Sequence, residues 1–335
     1  MRFLEGDLIE DVNGVIFDVK GLIHPKGRVI AFPRFIPDPN GERVRGKTAY
    51  RKVYALTARY ELLEARFPQY LIRNEVLGER LCEVPVDDVR RHYRPNERLK
   101  NLRSSTRLDQ LERDALNFVS RLKQEANVPW STLGVSGSIL AKLHTSNSDI
   151  DPVVYGEKSC HNVYSALQSL YKRKSSGVRA YNEEELHTLF DFRSKDTRVS
   201  FEDFVRTESR KILQGKYEGH DYFIRCVKGS LEADERYGDV HYSNAGYARV
   251  KATVIDASES IFTPCTYKIA NAQVLEGPEK PVSEVASFRG RFCEQARNDE
   301  VIVAQGKLER MQHKRGEVHY RLLLGNKPSD FMVLA

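Results

Sequence analysis

The sequence predicts an α+β protein built in three parts. Three observations carry that reading: short alternating apolar runs punctuated by Gly, Pro and Asn near the start, amphipathic helical periods through the middle, and closely spaced short strands from about Tyr247 onward. At 335 residues the chain has the length for two or three domains, each able to bury its own core. The expected division is an N-terminal α+β module over 1–95, a middle domain over 104–230 and a C-terminal small β-barrel or sandwich over 245–335.

Taken in order, "GVIFDVKGLIH" and "RVIAFPRFI" alternate as hairpin strands do. A helical period follows in "AYRKVYALTARYELLEARF", with Tyr50, Val53, Tyr54, Tyr60 and Leu63 near one face. The charged stretch from Arg90 to Ser105 lacks periodicity and reads as a linker or the lead-in to the next domain. The middle domain opens with an amphipathic helix through "TRLDQLERDALNFVSRLKQEANV", stopped by Pro129. A short strand, "TLGVS", then runs into Gly137-Ser138 and a short helical run, and "SDIDPVVYG" supplies a second strand in which Pro152 suggests an edge or an end. Another helix starts with Ser159 as its expected cap; further on, "KILQGKYEGHDYFIRCVK" reads as a hairpin turning near Gly219. The last part is read as strands in "ARVKATVID", "FTPCTYKIANAQVLEG", "EVIVAQGKLERM" and "EVHYRLLLG".

Composition narrows the class. With 40% hydrophobic and 30% charged residues and no apolar run long enough to cross a bilayer, the expectation is a protein without a membrane partner. The opening "MRFLEGDLIEDV" carries acids where a secretory signal needs a basic end and an apolar stretch, which predicts a cytoplasmic location. Five cysteines lie far apart, without the paired spacing of a zinc site, and read as reduced core residues. Any metal is then expected to be held by oxygen.

Asp149 and Asp151 provide that oxygen. Two residues apart on a strand, they share a face, while Ile150 points the other way toward an apolar run. Like charges side by side repel, and no basic residue lies between Ser146 and Gly156 to offset them. A divalent ion, Mg²⁺ by ligand chemistry, is the economical counter-charge, and two such ions suit in-line phosphoryl displacement. Upstream, Gly137 allows close approach to the backbone, and Ser138 at the start of the helical run offers N–H and hydroxyl groups to phosphate.

The stretch "VSGSILAKLHTSNSDID" resembles the signature of the DNA polymerase beta-type nucleotidyltransferase superfamily: an apolar strand, Gly-Ser, a spacer, then Asp-apolar-Asp. Ser148 before the first Asp and "PVVYG" after the second also match smaller prokaryotic members, and Lys142 stands where many of these have Gly. The texture of the whole chain resembles uncharacterised archaeal proteins expected to be nucleotidyltransferases. The resemblance implies a polymerase beta-type core that moves a nucleotidyl group from an NTP substrate to a hydroxyl acceptor with two Mg²⁺ ions. Asp149 and Asp151 would hold the metal; Gly137, Ser138, Ser148 and Lys142 would line the nucleotide. The family adds a third carboxylate on a neighbouring strand. Here its usual place holds Phe223, two residues before Arg225, so Asp221, one same-face position earlier, is the candidate, ahead of Asp191, Asp203, Asp239 and Asp256.

Between His24 and Tyr60, nine Lys or Arg residues face two acids, with aromatics interleaved. Arg28, Arg34, Arg43, Arg45, Lys47 and Arg51 are the expected contacts of a phosphate-tracking surface, with a solvated hairpin as the alternative. Ser287–Phe292 would extend it. RNA is the expected acceptor; the rival readings are a binding protein that has lost turnover and an enzyme that modifies protein.

Overall fold

The alternating runs near the start become antiparallel strands in the computed structural model, which describes residues 2–229, 232 and 235–335. Strands β1 (Leu8–Asp11), β2 (Ile16–Val19), β3 (Arg28–Pro37), β4 (Arg43–Arg45) and β5 (Thr48–Lys52) precede helix α1 (Leu56–Arg66). Strands β6 (Leu71–Asn74), β7 (Glu79–Pro85) and β8 (Val89–Tyr93) follow, and the sheet runs β4-β5-β3-β2-β1-β8, with β7 also pairing β3. The helical period expected from Tyr50 starts only at Leu56. Residues 50–52 lie in β5 instead, because β3 takes up their backbone groups, with Pro37 opposite Tyr50 and Phe35 opposite Lys52. The stretch expected as a linker is also ordered: it forms β8 and helix α2 (Pro95–Ser104), where Pro95 stands at a helix start that leaves its N–H unused anyway.

Helix α3 (Gln110–Ala126) begins with a reciprocal capping box between Asp109 and Glu112 and ends at Asn127 in the left-handed conformation. It buries Leu111, Ala115, Phe118, Val119 and Leu122, the stripe its 3.6-residue period sets out. Strand β9 (Leu133–Val135), helix α4 (Gly137–Ala141), strand β10 (Pro152–Tyr155) and helix α5 (Glu157–Lys172) come next, α5 being capped at Gly156 and not at Ser159. After β11 (Val178–Arg179), strands β12 (Gln214–Tyr217), β13 (His220–Phe223) and β14 (Arg225–Val227) complete the region. Strand β10 is central, antiparallel to β9 and parallel to β14. Pro152 is therefore not at a sheet edge; as the first residue of its strand it loses no interior ladder donor.

Leu8, Ile16, Phe35 and Tyr50 from the N-terminal strands share one buried cluster with Leu140, Ala141 and Leu143 of α4 and the turn after it. Full burial of a leucine contributes about 2 kcal/mol, so this cluster anchors α4 firmly on the N-terminal sheet. Consequently most of the segments expected as a first and a middle domain lie in one compact unit, Met1–Ile72, Leu81–Arg179 and Ile212–Asp234, while 73–80 and 180–211 fall outside it.

The second unit comprises Arg73–Arg80, Ala180–Lys211 and Glu235–Ala335. It contains helices α6 (Glu183–Arg193) and α7 (Phe201–Glu208) and strands β15 (Val240–Asp256), β16 (Cys265–Glu276), β17 (Val282–Ser287), β18 (Val301–His313), β19 (Val318–Leu324) and β20 (Phe331–Leu334). The order β15-β16-β17-β19-β18 closes on itself through β15–β18 pairing, with β17 and β19 parallel, so the alternative realised is a barrel. Strand β17 had no counterpart among the expected strands. All five cysteines are free and buried, and among the described residues no helix is long and apolar enough to cross a membrane.

Candidate active site

The turn between β9 and α4 is fixed by Gly137. Its φ of +63° disfavours other residues, and a Cβ there would lie 1.9 Å from Asp151 Oδ2. The Asp151 carboxylate thus rests against the bare Gly137 backbone. Ser136 holds the turn from both sides: its N–H donates to the Asp151 carbonyl at 2.8 Å and its hydroxyl to the Gly6 carbonyl at 2.5 Å. Ser138 is buried as the next residue, its carbonyl accepting the Leu143 N–H at 2.9 Å. Lys142 ends α4 at φ 55°, with its side chain exposed. Left-handed backbone there is a conformation that favours glycine. The Ser148 hydroxyl accepts the Thr145 N–H at 2.9 Å and Arg43 Nη1 at 3.3 Å, so it staples the loop that delivers Asp149.

The third carboxylate comes from the strand register. Ile150 bridges Tyr222 in parallel, its N–H donating to Asp221 O at 2.8 Å and its carbonyl accepting the Phe223 N–H at 3.1 Å. Ile150 and Tyr222 are buried. On the opposite face, Asp149 falls beside Asp221 and Asp151 beside Phe223, at the roughly 5 Å spacing of adjacent strands. The shared face brings Asp149, Asp151 and Asp221 together; Asp191, Asp203, Asp239 and Asp256 belong to the second unit. Asp221 also pairs with Lys216, directly across the β12–β13 hairpin, at 3.1 Å.

The electrostatics of this face are unbalanced. Asp149 is exposed, yet the surrounding protein removes much of its hydration, and with the charges of Asp151 and then Asp221 this pushes its pKa up to about 6. Lys52 and Arg34 oppose the rise without cancelling it. Lys52 is itself pulled down to about 8, first by burial and then by Arg34, while Asp149 and Asp151 act the other way. Neither Asp149 nor Asp151 makes a side-chain hydrogen bond or an ion pair among the described residues. A site with negative charge left over and free carboxylate oxygens suits a divalent cation.

Lys52 is the residue that sequence reasoning missed. Its signal, a cation two positions after Tyr50 in an alternating strand, was hidden by a helical spacing that fits the same residues. The expected nucleic-acid contacts divide. Arg45 is consumed inside the unit, bonding Glu10, Tyr50 and Tyr93, each at 2.8 Å, and the Ala141 carbonyl at 3.4 Å. Arg43 holds the Leu143 carbonyl at 2.7 Å, and Arg28 the Glu83 carbonyl at 3.2 Å. For these three the reason is the same: each guanidinium satisfies buried carbonyl or carboxylate oxygens, leaving it a structural part. Arg51 pairs with Asp38 at 2.9 Å, Lys47 is exposed, and Arg34 lies over the Tyr54 ring, 4.8 Å from its centroid. In the second unit, Phe288 is exposed, but Phe292 is buried, and Arg289 and Arg291 both bond Asp196, which takes most of that run into the fold.

Asp109, Glu112 and His144 also bring ligand atoms within 4.8 Å of one another. Most of their contacts are internal: the two acids form the α3 capping box, His144 bonds Asp109 at 2.7 Å through Nε2, and Glu112 pairs with Arg98, while His144 Nδ1 is buried without a hydrogen-bond partner among the described residues.

Comparison with known proteins gives a whole-length relative. The chain is 30% identical over 334 residues to the uncharacterized protein MJ1086 of Methanocaldococcus jannaschii, covering 97% of this chain and 96% of that one. No family model matches, and no solved structure matches.

Proposed function

We propose, for a chain that belongs to the family of Methanocaldococcus jannaschii MJ1086, that it is a nucleotidyltransferase with a polymerase beta-type core, moving an NMP from an NTP to a hydroxyl of RNA. The observation that carries the reading is the set of three carboxylates, Asp149, Asp151 and Asp221, on one strand face, with Asp151 seated against the Gly137 turn.

Asp149 and Asp151 would hold Mg²⁺, whose chemistry when bound is to neutralise phosphate charge and acidify the attacking hydroxyl. The raised pKa of Asp149 fits that role, because a bound cation offsets both the lost hydration and the repulsion from Asp151 that raise it. Asp221 would accept the proton of the acceptor hydroxyl as its oxygen bonds to the α-phosphorus and pyrophosphate leaves. Lys216, 3.1 Å from Asp221, orients that carboxylate. The Gly137 turn lets a phosphate approach the backbone. In the second unit, the closed five-stranded Greek-key barrel is an architecture that OB-folds use for oligonucleotides, which supports RNA as acceptor.

The test is incorporation of each labelled NTP into total cellular RNA, with Mg²⁺ or Mn²⁺, by wild type and by Asp149→Ala/Asp151→Ala. Label on RNA that vanishes in the double variant is the expected result. Salt-sensitive RNA binding without incorporation favours instead the binding protein that has lost turnover.

A further inference from the structure

We propose that Lys52 and Arg34, both from the N-terminal sheet, bind the β- and γ-phosphates of the nucleoside triphosphate, so that this sheet supplies the anion-binding half of the site; the inference rests on the nucleotidyltransferase reading above.

Three observations lead there. Lys52 ends β5 and Arg34 lies in the neighbouring β3, where the Arg34 carbonyl accepts the Val53 N–H at 2.9 Å, so the two residues sit side by side on adjacent strands. Both cations are aligned by the ring of Tyr54, Arg34 at 4.8 Å and Lys52 at 5.5 Å from its centroid. That ring is 43% exposed, and the Arg34 charge lowers the Lys52 pKa, a repulsion that an anion between them would relieve. Second, the cations and the carboxylates of Asp149 and Asp151 sense one another electrostatically but are not paired: among the described residues neither Lys52 nor Arg34 comes within 4.0 Å of a carboxylate oxygen. Flexible side chains so near opposite charge would close into salt bridges if nothing were meant to lie between them. A ligand that presents a cation to one side and phosphate oxygens to the other, a metal-bound polyphosphate, matches both walls.

Third, the sheet is fastened to the loop that carries the carboxylates. Arg43 of β4 grips the Leu143 carbonyl and Ser148, Arg45 reaches the Ala141 carbonyl, and Leu140 and Leu143 are buried with Phe35 and Tyr50. The cations and carboxylates therefore hold a fixed spacing, which a site that orients a leaving group requires.

The experiment measures binding of inorganic pyrophosphate, the common NTPs, the matching NMPs and total cellular RNA to the full chain in Mg²⁺, for wild type, Lys52→Met, Arg34→Met, Lys52→Arg and Asp149→Asn/Asp151→Asn. Wild type is expected to bind its NTP about 10 to 100 times more tightly than the NMP. Lys52→Met and Arg34→Met each lose about tenfold or more for the NTP and pyrophosphate and nothing for the NMP, and Lys52→Arg recovers part of the loss. A misfolded variant would lose NMP binding too, so the phosphate-number dependence separates the two causes. NTP and pyrophosphate affinity unchanged in both Met variants, but lost in Asp149→Asn/Asp151→Asn, overturns the assignment and leaves nucleotidyl transfer standing. Loss of RNA affinity with pyrophosphate binding intact also overturns it, giving these cations to the acceptor strand. A wild type that binds neither NTP nor pyrophosphate removes both readings.

Discussion

Removing one carboxylate from the cluster should make the metal-free protein more stable. Asp149 has its pKa raised from 3.8 to about 6 in the folded chain, chiefly by lost hydration and by Asp151, so folding favours its protonated form. The sign follows directly. The folded state binds this proton more tightly than the unfolded state, so the penalty for ionising Asp149 is absent below pH 3.8, grows as pH rises, and is complete above about pH 6. A shift of about two units would correspond to about 3 kcal/mol for a fully shielded group. Asp149 is exposed, and solvent screening reduces this to about 1 kcal/mol. Asp149→Asn in EDTA near neutral pH should therefore melt about 2–4 °C above wild type, and the gap should close as the solution is acidified toward pH 4. Added Mn²⁺ or Mg²⁺ should reverse the order, stabilising wild type and leaving the variant unmoved. Calorimetry or fluorimetric melting across that pH range reads both effects. A variant less stable than wild type in EDTA at neutral pH, or one that gains equally from metal, would refute the idea of an under-compensated acid cluster.

Other perturbations separate the parts of the site. Gly137→Ala places a Cβ 1.9 Å from Asp151 Oδ2 at φ +63°, so Mn²⁺ affinity should fall about tenfold or more while far-ultraviolet circular dichroism stays native. Arg45→Ala strips a part-buried partner from Glu10, and urea denaturation should show a loss of about 2–4 kcal/mol with the salt slope of RNA binding unchanged; a reduced slope at full stability would return Arg45 to a nucleic-acid surface. Asp221→Asn should lower turnover at least about a hundredfold at unchanged NTP affinity, measured by single-turnover kinetics. Arg43→Met frees the Leu143 carbonyl and Ser148, and hydrogen exchange should quicken at Thr145 and Ser148.

The Gly137-Ser138 and Asp149-Ile150-Asp151 elements were legible in sequence because their geometry is local: a strand, a turn, and a two-residue spacing set which atoms share a face. Asp221 was legible only as one candidate among several, since its place depends on the parallel bridge between Ile150 and Tyr222, a contact across 72 residues that no local spacing encodes. Lys52 was read into a helix. Tyr50, Val53 and Tyr54 satisfy a helical period, and only the pairing of β5 with β3 decides against it. The same limit affects the basic segment. Charge shows in a sequence but exposure does not, and Arg28, Arg43 and Arg45 turned inward because carbonyl and carboxylate oxygens needed donors. A barrel was legible from strand spacing, whereas its closure through β15 and β18 was not.

Nucleotidyl transfer itself is tested most directly by following NTP labelled at the α- or at the γ-phosphate through one reaction with RNA and Mg²⁺. The expected result is α-label on the RNA and an equal amount of γ-label in pyrophosphate, both abolished in Asp149→Asn/Asp151→Asn. Gamma-label released as orthophosphate, or no transfer of α-label from any NTP to RNA, would contradict it.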